Sequence, residues 1–517
     1  MTETPPTPPT PPVPSTAVPS TPEPSTSERG EVIRNLARGS TWMVAMRWGV
    51  RLIGLVSTVI LARVLVPEDF GVVAMAMLVI AFLEVFADTG QQYALIRHPA
   101  PDRPLYDSAW SMSVLINTGI TAILLAVAPL SETYFNDPRI APVIQLLSLR
   151  VFFSGLINIG IIEFRRNLDF RREFQFWIAR KLSTFVMTLG CVLIWPSYWS
   201  LAIGTVTGHA IEVVISYRMH PYRPRFNLSR VREIWSYSIW LLAASLGRFF
   251  ESRIDEVVVA GVTDATRMGK YTISSELGSL PVTEVLDPVT RALFPNYVKL
   301  NNNPQALREA YLTVLNASIL VAASLGVGIA MLSQDIVAVL LGDQWADISP
   351  LIGNFALAAA VIGVCNSVYP ILNAVGESRQ TAVQTWLRVV CYLPAMYWAA
   401  TTAQLENFAL ARLGVSIVLV PTFFIRLRGV VPVAWLDLIK QCWRGPLAAL
   451  AMAAALDSIA FGDVITISGV RLLVEVLIGA TVFVATVIAL WALAGRPDSV
   501  EKIALQAACR LLTRARA

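Results

Sequence analysis

Charge is what this 517-residue chain has least of. Asp, Glu, Lys and Arg together make up 15%, against 55% hydrophobic residues, where a soluble domain carries about 25% charged residues. One globular core cannot hide that much apolar surface, because the outside must still be polar. Mean hydropathy is +0.59. These values exclude a soluble enzyme, a nucleic-acid binder and a disordered scaffold, and leave a polytopic, all-α membrane protein. Histidine is also scarce, with three in all, so an imidazole-rich active site is not expected. The five cysteines, Cys191, Cys365, Cys391, Cys442 and Cys509, are scattered without metal-ligand spacing and read as small buried hydrophobes. No metal and no cofactor are expected.

What is present is a succession of long apolar segments. Fourteen are long enough, or nearly so, to cross about 30 Å of hydrocarbon as helices: 41–62, 72–96, 109–130, 141–162, 176–195, 198–217, 234–252, 271–290, 310–331, 351–373, 381–400, 406–425, 445–462 and 472–494. Charges or short length make 234–252, 271–290 and 445–462 the weakest. Of the 41 Lys and Arg residues, 29 fall on the side shared with the termini and 6 on the opposite loops. That asymmetry places both termini in the cytoplasm. The opposite loops are short and leave no room for an outer domain.

The ends differ from the middle. Residues 1–28 are a Pro/Thr/Ser tail too polar to bury, without the apolar stretch of a secretion signal. Asp498 to Arg514 reads as an amphipathic helix on the inner leaflet, or as a plain tail. At an offset of 198, Val59–Gly71 matches Val257–Gly269 at Val59/Val257, Ala62/Ala260, Val64/Val262 and Gly71/Gly269. This pattern suggests two parallel six-helix repeats. The expected organisation is a tail over 1–36, an N-lobe over 37–220, a C-lobe over 221–430, two further helices over 431–495 and an amphipathic C-terminal helix over 496–517.

Several stretches are familiar in this order. They are ILARVLVPEDFGVVA (Ile60 to Ala74), EVFADTGQQYALIR (Glu84 to Arg97), FRRNLDFRREF (Phe164 to Phe174), Glu251 to Gly269 followed by Tyr271, PVTEVLDPVTRALFPNY (Pro281 to Tyr297) and LLGDQW (Leu340 to Trp345). Together they resemble the Wzx-type polysaccharide flippases of the multidrug/oligosaccharidyl-lipid/polysaccharide exporter superfamily. The resemblance runs from about residue 36 to 430. It implies a V-shaped pair of six-helix bundles around a central cavity, here with two helices appended. It also implies a bacterial inner-membrane carrier, not an enzyme, that moves an undecaprenyl-pyrophosphate-linked oligosaccharide between leaflets by alternating access. Implied partners are the lipid-linked oligosaccharide, membrane lipids and a polymerase or export machinery. The alternatives are a lipid II-type flippase, a multidrug or small-solute antiporter of the same fold, and a membrane glycosyltransferase or polymerase. Short outer loops weigh against the enzymes.

A charge inside a membrane span is costly and should face a cavity or a partner. Arg47 and Arg51 share a face of the first helix with Gly54 and Thr58. Guanidinium binds phosphate oxygens bidentately and stays charged, so this stripe suits a diphosphate. The alternative has Arg47 snorkelling to the interface and Arg51 pairing with an acid. Ser245, Arg248, Ser252 and Asp255 form the corresponding stripe of the second half, with Arg248 alternatively paired to Glu251 or Glu284. Arg388 and Arg412 would extend the cationic wall. The cavity residues expected are thus Arg47, Arg51, Arg248, Ser252, Asp255 and Arg388. Glu84, Asp88 and Glu276 are candidates for coupling to a proton or sodium gradient. Asp88 alternatively caps or kinks its helix.

Overall fold

The computed structural model describes residues 26–87, 90–98, 100–235, 238–402, 404–459, 468–497, 499–502 and 505–506. Among them every regular element is a helix and no strand occurs. In chain order the helices are α1 (Thr26–Val64), α2 (Pro67–Glu84), α3 (Gln91–Arg97), α4 (Arg103–Phe135), α5 (Ile140–Gly155), α6 (Ile162–Arg166), α7 (Phe170–Ile194) and α8 (Tyr198–Met219). They continue as α9 (Val231–Trp235), α10 (Ser238–Val262), α11 (Ala265–Leu300), α12 (Pro304–Leu340), α13 (Ser349–Asn366), α14 (Val368–Ala374), α15 (Ser378–Thr402) and α16 (Leu405–Arg428). The last are α17 (Trp435–Cys442), α18 (Arg444–Ser458) and α19 (Ser468–Leu493).

Local chemistry sets many of the starts. Asp102, Asp169, Asp264 and Asn303 each accept a hydrogen bond from a backbone N–H in the first turn of α4, α7, α11 and α12. Capping of this kind satisfies donors that the helix itself cannot reach. Proline stands in the first turn of α2, α4, α12 and α13, where its missing N–H costs nothing. Between α4 and α5, Arg139 donates to Asp137 and holds its carboxyl below the usual range.

Nine of the described helical stretches are long and apolar enough to cross a membrane, and a tenth is the bent pair Ile140–Gly155 with Ile159–Arg166. Fourteen segments were expected. The four that fall short in length or apolarity are α10, α11, α15 and α18, which carry charge and polar side chains or, for α18, only 15 residues. The tail over residues 1–25, Asp88 and most of the expected C-terminal amphipathic helix lie outside the described residues. α1 begins at Thr26, earlier than the apolar run alone indicates.

The helix order repeats. α1 ends at Val64 and α10 at Val262, while α2 starts at Pro67 and α11 at Ala265. Both intervals equal the offset found in the sequence. The two glycines of that repeat meet. A Cβ on Gly71 would stand 1.6 Å from the Ala265 carbonyl oxygen, and a Cβ on Gly269 would stand 1.9 Å from the Pro67 carbonyl oxygen. Pro67 and Ala265 are themselves partners at the same offset. Each half thus presents the same glycine to the same backbone position of the other, a reciprocal contact of the kind a two-fold relation produces. α2 and α11 pack extensively along this line.

Within the first half, α7 packs on α8 and α1, and α5 packs on α4, α8 and α2. Within the second, α13 packs on α11, α12 and α16, while α15 packs on α10 and α16. α18 and α19 pack on each other and against α12. The basic segment after α8 is pinned across α4: Asp107 accepts from the Tyr222 hydroxyl at 2.5 Å and the Arg225 amide at 2.8 Å, and Ser111 accepts from the Asn227 amide at 2.9 Å. Burial and the nearby Asp107 carboxylate push the Tyr222 phenol up.

Candidate functional site

The site is built where the two halves face each other. At one end they are joined by shape. The Ala62 carbonyl at the end of α1 accepts from the Trp345 indole at 2.8 Å and the Gln344 amide at 2.6 Å. Arg63 donates to the carbonyls of Leu340, at 3.0 Å, and Val339. Trp345 is fully buried and meets Phe70 edge-on at 5.7 Å. Two motifs far apart in sequence, one containing Asp69-Phe70-Gly71 and the other Leu340 to Trp345, therefore close the same end.

Toward the other end the halves are joined by charge. Glu284 on α11 accepts from Arg47 Nε at 3.0 Å. Its other carboxylate oxygen lies 3.0 Å from Arg51 Nε, as an ion pair. Asp287 lies 3.6 Å from Arg47. One carboxylate thus answers two guanidiniums. α1 packs mainly on α7, and little of its apolar surface is buried within the protein. These ion pairs are therefore a large part of what holds it to α11. Three prolines, Pro281, Pro288 and Pro295, interrupt the hydrogen-bond ladder of α11 around Glu284.

The remaining expected residues divide sharply. Arg248 is exposed and donates to Ser245 at 2.5 Å. It has no carboxylate partner among the described residues, since Glu251 pairs elsewhere and Glu284 is taken by α1. Ser252 is exposed and donates to the Arg248 carbonyl at 2.8 Å. Asp255, by contrast, is buried; it accepts from Tyr271 at 2.9 Å and pairs with Arg412 at 2.6 Å. Arg388 is buried too, bound to Glu251 at 2.5 Å and Asn366 at 3.2 Å. These two networks knit α10 to its neighbours within the second half.

Glu84 pairs with Arg150 at 2.6 Å inside the first half. Glu276 is exposed, and the Lys181 ammonium on α7 lies within its electrostatic reach and that of Arg51. Lys181 also lies against α1, where a Cβ on Gly54 would stand 3.6 Å from its Nζ. Lys181 was not among the expected residues. In sequence it stands at the end of a basic loop, where topology alone accounts for a positive charge. The groups gathered between the halves are thus Arg47, Arg51 and Lys181 from the first and Glu276, Glu284 and Asp287 from the second.

Two apolar cavities lie outside this charged region. One, of about 490 Å³, is formed by α12, α18 and α19 and lined by Leu325, Ile329, Met452, Leu472, Val476 and Phe483 among others. The second, of about 400 Å³, lies between α2, α4 and α10, with Phe82, Leu130, Tyr134, Phe249 and Phe250 in its wall. No cluster of potential metal ligands occurs among the described residues.

The sequence profile of a family described as polysaccharide biosynthesis protein matches residues 60–350. The chain belongs to that family. It is 23% identical to the succinoglycan biosynthesis transport protein ExoT of Rhizobium meliloti over 72% of this chain and 76% of that one. It is 21% identical to the lipopolysaccharide biosynthesis protein WzxC of Escherichia coli, over 76% and 80%. Among solved structures, the lipid II flippase MurJ in an inward closed conformation superposes with a TM-score of 0.69 at 14% identity, covering 87% of this chain and 99% of that one. An inward-facing multidrug resistance MATE family transporter superposes with a TM-score of 0.57 at 12% identity, covering 74% and 95%. The family member is therefore an all-helical, multi-pass inner-membrane protein with the fold of these transporters, and its relatives are carriers and not catalysts.

Proposed function

We propose that this family member is a flippase that carries an undecaprenyl-pyrophosphate-linked oligosaccharide across the cytoplasmic membrane, for exopolysaccharide, capsule or O-antigen synthesis. The observation that carries the reading is the arrangement at Glu284, where a single carboxylate spans the two halves to hold Arg47 and Arg51. A diphosphate offers more negative charge and more oxygens than one carboxylate, in a geometry guanidinium grips well. On its arrival the arginines exchange Glu284 for phosphate, and the link between the halves is released. Arg248, which has no acidic partner among the described residues, and Lys181 add to the attraction.

The lobes of this reading are residues 37–220 and 221–430, rocking about the glycine contact between α2 and α11, with both termini in the cytoplasm. Segment 431–495 supplies α18 and α19, whose apolar groove against α12 suits a prenyl chain. Ser252 lines the path, while Asp255 and Arg388 shape it from within the second half. Glu276, exposed opposite Lys181, is the favoured group for coupling to a proton or sodium gradient. Glu84, engaged by Arg150, and Asp88 are the further candidates. The emerging glycan passes to a polymerase or export machinery.

The test is transbilayer movement of a fluorescent undecaprenyl-pyrophosphate oligosaccharide in proteoliposomes. Wild type should move it, and Arg51→Gln should lose about tenfold or more in rate, as for a charged contact worth over 1.4 kcal/mol. Equal rates for the two folded proteins would overturn the role given to Arg51.

A further inference from the structure

A cleft distant in sequence from the Glu284 contact opens between the start of α15 and the end of α16, with a volume of about 450 Å³. At its centre is Arg426. Its Nε donates to the Gln384 carbonyl oxygen at 2.7 Å, and its Nη1 donates to the Gln380 carbonyl oxygen at 2.6 Å. Gln384 is fully buried and is itself fixed by donating to Thr422 at 2.8 Å. The guanidinium is therefore aimed by two neutral amides.

Many arginines of the helices are neutralised instead. Arg47, Arg51, Arg150, Arg180, Arg388 and Arg412 each have a carboxylate within ion-pair distance. Arg426 has no such partner among the described residues, although Glu377 shares the rim of the cleft. The partial negative charge at the end of α16 offsets only about half a unit. A half-buried cation, oriented but not neutralised, is a site waiting for an anion. The other walls say which kind. Leu387, Ile425 and Val430 line the same cleft, and Ile425 is more than half exposed on the outside of the bundle. A free phosphate has no use for that surface, whereas a phospholipid needs both parts.

We propose that this cleft holds the phosphate of an anionic phospholipid, gripped by Arg426 under the guidance of Gln380 and Gln384, with an acyl chain laid against Leu387 and Ile425. The site is separate from the Glu284 contact and does not depend on which cargo the protein carries.

Native mass spectrometry of the full-length protein released from detergent tests this, with phosphatidylglycerol titrated against phosphatidylcholine. Wild type should retain one phosphatidylglycerol with about fivefold preference, the factor expected for one cation facing an anionic headgroup. Arg426→Gln should remove that preference. Arg426→Lys, which keeps the charge but loses the planar fork that spans both amides and a phosphate, should retain only part of it. Arg428→Gln is the control, because Arg428 donates to the Val433 carbonyl and stacks on Trp435; it should leave the preference intact. No preference in wild type, or an unchanged one in Arg426→Gln, would overturn the proposal. Displacement of the bound lipid by inorganic pyrophosphate would overturn the lipid part and assign a soluble phosphate instead.

Discussion

Gly71→Leu should be among the most damaging single substitutions in the chain, with Gly269→Leu its equal. At each position the space for a Cβ is already filled by backbone of the other half: the Ala265 carbonyl in one case and the Pro67 carbonyl in the other. A flexible side chain can swing away, but a carbonyl within a packed helix end cannot. The helices must part, and the contacts around Phe70, Trp345 and Ala62 go with them. Overpacking ordinarily costs about 1–3 kcal/mol, and a backbone obstacle puts these at or above the upper end. Thermal unfolding in detergent reads the effect. Gly119 is the internal control, because a Cβ there meets nothing within 4 Å. Gly119→Ala should leave the melting temperature unchanged or raise it, as alanine is the better helix former by about 1 kcal/mol. Equal tolerance of leucine at 71 and alanine at 119 would mean that α2 and α11 do not meet as described.

Glu251→Ala is the second large effect. It strips the counter-ion from Arg388, whose side chain is 9% exposed. Removing one partner of a buried pair costs about 3–5 kcal/mol, because the remaining charge stays buried and uncompensated. The double variant Glu251→Ala/Arg388→Leu should recover most of that loss, since no charge is left stranded. The same double variant decides what Arg388 is for. If it folds and still transports, Arg388 holds α15 to α10 and nothing more. If it folds and is inactive, Arg388 serves the cargo path as well. Should the single variant be as stable as wild type, Arg388 has solvent or another partner, and the pairing described above is wrong.

The sequence showed the fold more readily than the site, and the reason is physical. Apolar length and the bias of positive charge survive in any membrane protein, because the bilayer enforces them along the whole chain. α4, α8, α16 and α19 accordingly lie close to the apolar runs that foretold them. α10 and α11 were the hardest to see. α10 carries charges that pair within the second half and α11 carries charges that reach across to α1, which lowers their apolarity below that of a lipid-facing helix. The offset of 198 was weak as a sequence match, with four identities in thirteen positions. It became meaningful only when Gly71 and Gly269 proved to face each other.

For the site, sequence reasoning found charged residues but not their partners. Arg47 and Arg51 stood out because charge in a span is rare. That Glu284 answers both depends on how α11 lies against α1, more than two hundred residues away, and no local spacing carries that. Asp255 and Arg388 looked like cavity residues for the same reason that Arg248 did. The structure separates them: two sit in buried networks and one stands exposed without an acid among the described residues. Lys181 was hidden by its neighbours, since five arginines before it, Arg165, Arg166, Arg171, Arg172 and Arg180, made the whole stretch read as a cytoplasmic loop. The late Leu340 to Trp345 motif was recognisable as a pattern, yet its purpose, to seat a tryptophan under the end of α1, appears only in three dimensions.

The central claim is that the diphosphate, and not the sugar, is what Arg47 and Arg51 recognise. The direct measurement gives wild-type proteoliposomes one fluorescent oligosaccharide on two carriers, undecaprenyl pyrophosphate and an uncharged undecaprenyl ether, and follows its appearance in the opposite leaflet. The account predicts movement of the diphosphate-linked glycan and at least tenfold slower movement of the uncharged one, the counterpart of about 1.4 kcal/mol in the barrier. Equal rates for both carriers would contradict it.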